Sequence, residues 1–308
     1  MEKIYLGKGS VIFNNVCKEQ VLLSETINFN SRYKENIEIF YKTLIDKGVV
    51  TNLDNFMRNI DNIKIYNKWM NVFNLFDGTM AEYDSKKNTI SLYTPYLLET
   101  TFNHELLHVA SSYYDKENDI NYCGFFQENK SVTLGDALNE GYTEYLNDKL
   151  FYIDISKTYY LYEMVVASLM EIIVGPNNMQ KLYFDGDLYS LINILKKYNT
   201  LDGIRKFLLK MDFIMDNRDN MLLRNKVVKY IYDVNYFLMV SYTNKLLYLF
   251  NSGIISLIEL EYLLGLFTCK LKKILDIKLP IRRRKLRNNI IDNREIALYK
   301  VKQRVWIR

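Results

Sequence analysis

His104 and His108 are the only histidines among 308 residues, and they stand four positions apart in the stretch TFNHELLHVA, with Glu105 directly after the first. Residues four apart on an α-helix point the same way, about 6 Å apart along the axis. The spacing therefore predicts a helix here whose two imidazoles can share one cation. Leu98, Phe102, Leu106, Val109 and Ala110 give that helix apolar surface to pack. Random placement would produce the pattern in fewer than about one shuffle in a thousand. Two imidazoles do not complete a site, so the chain must also fold a second segment back onto this helix.

HExxH on a helix provides two zinc ligands and a general base, with Glu105 able to reach a water on the ion. A catalytic zinc needs three protein ligands and an open position. No third histidine exists, which leaves a carboxylate, a cysteine or, less often, a tyrosine. The stretch ALNEGYTEYL offers carboxylates: Glu140 and Glu144 are again four apart and share a helical face. One can bind the metal while the other accepts a hydrogen bond from a histidine ring N–H and fixes its tautomer. Cys123, between the two helical stretches, is the rival third ligand.

The surrounding chain reads as follows. A short strand is expected around SVIFNNV, near the start. SRYKENIEIFYKTLIDKG predicts a helix with Ser31 as N-cap and Gly48 as stop. NLDNFMRNIDNIKIYNKWMNVFNLF continues as one or two helices. Residues 78–93 predict a hairpin about the polar turn DSKKN, ended by Pro95. A helix over 96–113 carries the histidines, residues 114–135 form a polar connection punctuated by glycine, and 136–152 is helical despite Gly141. From about 157 to 275 the pattern is mostly helical, with stops such as Gly175-Pro176. The final EIALYKVKQRVWIR alternates, with Tyr299, Val301, Val305 and Ile307 on one side and Lys300, Lys302, Arg304 and Arg308 on the other, a strand pattern with a basic outer face.

HELLH followed by NEGYTE resembles the glutamate-zincin, or thermolysin-like, metallopeptidases. Carried over by position, the resemblance implies one zinc ion held by His104, His108 and Glu140, with Glu105 as general base. Glu144 is then the acid that supports a ligand from one turn further on; many members of the family have aspartate there. The resemblance also implies an edge strand beside the metal helix that pairs with an extended peptide or protein substrate. Thr89, Ile90, Ser91, Leu92 and Tyr93 are the candidates. It spans residues 78–150, and its gap between His108 and Glu140 is longer than in the best-known members.

The expected fold class is α+β and predominantly helical. It comprises a helical segment (1–77), a zincin-like core with a small antiparallel sheet (78–152), a C-terminal helical lobe (153–280) and a basic tail with a strand (281–308). The expected chemistry is peptide hydrolysis by a zinc-activated water, the ion also polarising the carbonyl. The oxyanion needs one more donor, and with no histidine left that is a tyrosine or arginine. Tyr113, Tyr114, Tyr122 and Tyr142 lie nearby in sequence, and none of the 26 tyrosines stands out.

Composition narrows the setting. Hydrophobic residues are 49% and charged residues 25%, which suits a globular chain with a real core, and three prolines with 12 glycines favour helices over a turn-rich sandwich. Three scattered cysteines make no disulfide framework. No signal peptide pattern and no long apolar run appear, so a cytoplasmic location is expected, signal-less export being the other route. The net charge of +5 is local: residues 281–308 hold ten Lys/Arg against Asp292 and Glu295, while the rest has 31 basic and 34 acidic residues. PIRRRKLRNN can meet phosphate or anionic lipid, but no zinc finger, RNA-recognition signature or aromatic-interleaved basic stripe marks a nucleic-acid binder. Two other functions fit the same residues: a narrow regulatory protease that cleaves one partner, and a catalytically idle zinc protein with a nucleic-acid-binding tail. The sequence sets no oligomeric state.

Overall fold

The computed structural model describes residues 3–5, 31–48, 53–68, 80–93, 99–152 and 159–306. The strand expected near 10–16, residue Pro95 and the helix expected over 71–76 lie outside these residues. The described chain is mostly helical with small sheets, as the α+β reading expects. It forms two compact units that interleave in sequence: Met1–Thr133, Leu146–Asp154 and Gln180–Asp187 make the first, and Leu134–Tyr145, Ile155–Met179 and Leu188–Arg308 the second.

In the first unit, strand β1 (Lys3–Tyr5) precedes helices α1 (Ser31–Asp46) and α2 (Asp54–Ile60). Strand β2 (Lys64–Asn67), the hairpin β3 (Ala81–Asp84) and β4 (Thr89–Leu92), and helix α3 (Glu99–Ser111) follow. Helix α1 buries Tyr33, Ile37, Phe40 and Leu44, the stripe of a helix packed on one side. Phe40 lies 5.6 Å from Phe56 and stacks at 5.5 Å on Phe151, so α1, α2 and the end of a later helix share one aromatic cluster.

Residues 64–67, expected within a helix, form a strand instead. Ile63 and Ile65 are both fully buried, and β2 pairs in parallel with β4 through Ile65 opposite Ile90. The sheet order is β1-β2-β4-β3, so β4 is central: β2 flanks it on one side and β3, antiparallel, on the other. This corrects the edge-strand assignment of Thr89, Ile90, Ser91, Leu92 and Tyr93. All of them are buried, and the strand residues among them are paired on both sides. Among the described residues the outer strands of this sheet are β1 and β3. Because Tyr93 N–H bonds Met80 O, the alternation of an antiparallel pair turns Glu82 and Asp84 toward β4 and the backbone of Ala81 and Tyr83 outward.

The connection after α3 is a second sheet rather than a coil. Strands β5 (Ser112–Asp115), β6 (Ile120–Cys123), β7 (Phe126–Glu128) and β8 (Thr133–Leu134) lie side by side in chain order. The polar residues that suggest a coil sit in its turns, where Asp115 accepts from Glu117 and Asn118 N–H and Asn129 from Ser131 and Val132 N–H.

Helix α4 (Asp136–Phe151) passes from the second unit into the first. The second unit continues with α5 (Leu161–Val174), α6 (Pro176–Asp185, whose end returns to the first unit), α7 (Leu188–Leu195), α8 (Leu201–Asn217), α9 (Arg224–Asn251), α10 (Leu257–Leu271) and α11 (Arg283–Trp306). Gly175 ends α5 at a φ of +98° and Pro176 opens α6, positions that suit a residue free of Cβ strain and one without an N–H to satisfy. The 28-residue α9 is the axis of this unit and packs on α5, α8, α10 and α11. Phe207 stacks on Phe237 at 4.3 Å and Phe267 on Tyr242 at 4.2 Å along it.

The C-terminal segment is helix α11, not a strand. Its buried residues are Leu286, Ile290, Asn293, Ala297 and Val301, a stripe of helical spacing. Tyr299, placed on the apolar side by the alternating reading, is 63% exposed. Among the described residues no helix is long and apolar enough to cross a membrane.

Candidate metal centre

On α3 the two imidazoles meet as the spacing predicts. His104 Nε2 and His108 Nε2 are 3.1 Å apart, with the rings at 73° and their centroids 4.8 Å apart. Two nitrogens bound at about 2.0–2.1 Å to one tetrahedral ion would stand about 3.3 Å apart, so the pair is already close to a shared-ion geometry. His108 and Glu105 are buried, while His104 is half-buried.

The helix is fixed at both ends from within the first unit. At its start, Asn147 Nδ2 on α4 donates to Thr100 O at 3.0 Å. At its end, Asn59 Nδ2 on α2 donates to Val109 O and Ser112 O, both at 2.8 Å, and Gly124 N–H donates to Ser111 O at 2.9 Å. The bonds at the C-terminal end satisfy carbonyls that a helix end otherwise leaves open. Sequence reading does not find Asn59, since nothing local ties it to a helix some fifty residues on.

Cys123 approaches His108 from the other side of the ring. Its Sγ is 3.4 Å from Nδ1 and 3.8 Å from His108 O. Were Nε2 to face a metal, Nδ1 would carry the proton and donate to sulfur, and the thiol would donate to the carbonyl. In that arrangement Cys123 would orient His108 rather than compete with it. Beside it Tyr83, from the outer strand β3, accepts from Ser112 Oγ at 3.2 Å and donates to Asn88 Oδ1 at 2.9 Å. Burial holds the Tyr83 phenol well above the usual tyrosine range.

The helix that carries Glu140 is held by three features of the second unit. Asp212 of α8 accepts from Gly135 N–H at 3.0 Å and Ala137 N–H at 2.9 Å, capping α4 from another helix. Gly141 lets α5 approach: a Cβ there would come within 2.3 Å of the backbone of Glu163. Glu171 of α5 accepts from Tyr142 at 2.6 Å and Tyr145 at 3.1 Å. Glu163 itself is fully buried and pairs with Arg218 at 2.8 Å. Its carboxyl is pushed up by burial, held back by Arg218, and pushed further by the charge of Glu140.

His104, His108 and Glu140 each offer a ligand atom, and these atoms all lie within 4.8 Å of one another. The donor set, two neutral imidazoles and one carboxylate, suits zinc. The three residues that the sequence marks as ligands thus lie together, and Glu105 directly follows His104 on α3. Glu144, one turn further along α4, is half-buried and stands outside the trio. The group beside His108 Nδ1 is the Cys123 thiol, at 3.4 Å.

The tyrosines near in sequence are engaged elsewhere: Tyr113 stacks on Tyr122 at 4.5 Å, Tyr114 donates to Asp119 at 2.6 Å, and Tyr142 is held by Glu171. Tyr93 was nominated for its backbone, yet its phenol is the part of interest. It donates to Glu82 Oε2 at 2.8 Å and is pushed up to about 12 by burial, then by Glu82, with the charge of Glu105 adding to the rise. No protein-family model matches the chain, and no curated protein or solved structure matches it.

Proposed function

We propose that the chain is a zinc-dependent metallopeptidase. The observation that carries this reading is the convergence of the His104, His108 and Glu140 ligand atoms within 4.8 Å, with Glu105 beside them. Bound zinc would supply a Lewis acid and a water of lowered pKa. His104, His108 and Glu140 would hold it, and Cys123 would keep the His108 ring in the tautomer that presents Nε2. Glu144, one turn beyond Glu140 on α4, would be the acid that steadies a ligand histidine. Glu105 would take a proton from the attacking water and pass it to the leaving amine.

The outer edge of β3 supports a peptide as substrate. Ala81 and Tyr83 turn their backbone groups outward, and β3 packs against α3, so an extended chain paired there would run beside the histidines. This role replaces the one expected of β4.

Glu105→Gln tests the assignment. It should bind one zinc per chain like the parent and lose peptide cleavage by a factor of about a thousand or more. A parent protein that binds no zinc, or a variant that cleaves as well as the parent, overturns the proposal. Retained zinc with no cleavage by the parent across a broad peptide library would favour the idle metalloprotein.

A further inference from the structure

Residues 270–287 hold nine Lys/Arg and one acid, Asp276. They run from the end of α10 through a short 3-10 turn (Lys272–Asp276) into the first turns of α11. Arg283 pairs with Asp276 at 2.6 Å, which ties the start of α11 to that turn and gathers the cations into one patch. Lys273, Arg282, Arg284, Lys285 and Arg287 are all exposed. Cations also crowd the first turn of α11, which has no acidic residue, although the positive pole of a helix disfavours them there. The one local counter-charge, Asp276, is paired with Arg283 and leaves the other cations to be answered from outside.

The second half of the surface is apolar. On α10, Ile258 is 81% exposed, Tyr262 65% and Leu266 44%, and Ile254 just before the helix is 65% exposed. Ile258, Tyr262 and Leu266 are spaced by four, so they run along one side of the helix, flanked by the exposed Glu259 and Glu261, and the helix ends with Lys270 in its last turn and the basic turn that follows. An exposed aliphatic and aromatic row that leads into a dense cationic patch meets two demands at once.

We propose that this face of α10 and α11 docks on an anionic lipid bilayer surface. Lipid headgroups answer the cations, and the headgroup–acyl boundary accepts Ile258, Tyr262 and Leu266; the two signals together give stable attachment where either alone is marginal. A nucleic acid would satisfy the cations and leave the stripe in water. A second copy of the chain would cover the stripe and set like charges against each other.

The test is vesicle co-sedimentation with the full chain. Phosphatidylcholine vesicles are compared with vesicles containing about one-third phosphatidylserine. The parent should bind the anionic vesicles at least about tenfold more tightly, and binding should weaken as salt rises from about 0.1 M to about 0.5 M. Arg282→Gln, Arg284→Gln, Lys285→Gln and Arg287→Gln together should cut that affinity by about a hundredfold or more. Ile258→Ser with Tyr262→Ser should cut it by about tenfold. Circular dichroism of each variant should match the parent, since every substituted side chain is exposed. Equal affinity for both vesicle types, no vesicle binding, or binding indifferent to both sets of substitutions overturns the proposal. So does retention of a duplex oligonucleotide through the same four cations without vesicle binding, and so does a concentration-dependent dimer that the serine substitutions abolish while vesicle affinity stays unchanged.

Discussion

Cys123 Sγ lies 3.4 Å from His108 Nδ1, while the other nitrogen of the same ring lies 3.1 Å from His104 Nε2. A thiol thus occupies the place where a carboxylate or carbonyl usually steadies a metal-binding histidine. Cys123→Ala should lower zinc affinity about tenfold, and Cys123→Ser should recover part of the loss, in competition with a chromophoric chelator at fixed pH. The cobalt-loaded protein should show no thiolate-to-cobalt charge-transfer band. Such a band would make Cys123 a ligand and sink its assignment as an orienting group.

Gly141→Ala should destabilise the protein. The added carbon would sit 2.3 Å from Glu163 backbone atoms, which cannot yield as a flexible side chain can. Overpacking of this kind costs about 1–3 kcal/mol or more, read as a lower urea midpoint. An unchanged midpoint would mean that α4 and α5 do not approach so closely.

Asp212 sets a pH dependence. Burial pushes its carboxyl up to about 6, against hydrogen bonds from Ala137 and Gly135 N–H that pull it down, from an ordinary value of 3.8. The folded state therefore binds this proton more tightly than the unfolded chain. The contribution is present at pH values below the unfolded pKa and is lost as pH rises through about 6. A shift of about two units corresponds to up to about 3 kcal/mol. Asp212→Asn should remove that fall. Unfolding free energies of parent and variant, compared at about pH 4 and about pH 7, should move in the variant's favour at the higher pH. No change in the difference between them would refute the assignment.

Ala81→Pro separates substrate pairing from metal binding. The Ala81 N–H faces away from β4, so proline there breaks no bond of the β3–β4 ladder. Zinc content should be unchanged and KM for an extended peptide should rise up to about tenfold, the worth of one backbone hydrogen bond. Ile90→Pro, in the central strand, should instead fail to fold. An Ala81→Pro protein with unaltered KM would remove β3 from the substrate path.

Helices were more legible in the sequence than topology. Histidine spacing marked one face of α3, and an acidic pair at the same spacing marked α4, because helical periodicity is a local property. Strand β2 was hidden because Ile63 and Ile65 also fit the helical pattern around them, and only pairing with β4 decides between the two. The strand expected over residues 295–308 falls on the last turns of helix α11. Its buried stripe includes the polar Asn293 and is interrupted by cations, so the alternating stretch about Val301 looked stronger than the longer period. The edge strand was misassigned because strand order depends on β2, which was itself missed. Asn59, Asp212 and the ring-side position of Cys123 are long-range contacts that no spacing rule reports.

The crossing at Gly141 also bears on how this chain can evolve. The residue beside it, Glu140, is constrained by the ion it would hold, whereas Gly141 is constrained by the space α5 leaves. A mutant library screened only for soluble expression in zinc-free medium should keep glycine at 141 while letting 140 drift. Two adjacent codons would then answer to separate constraints, one to the closeness of two helices and the other to the proposed ion.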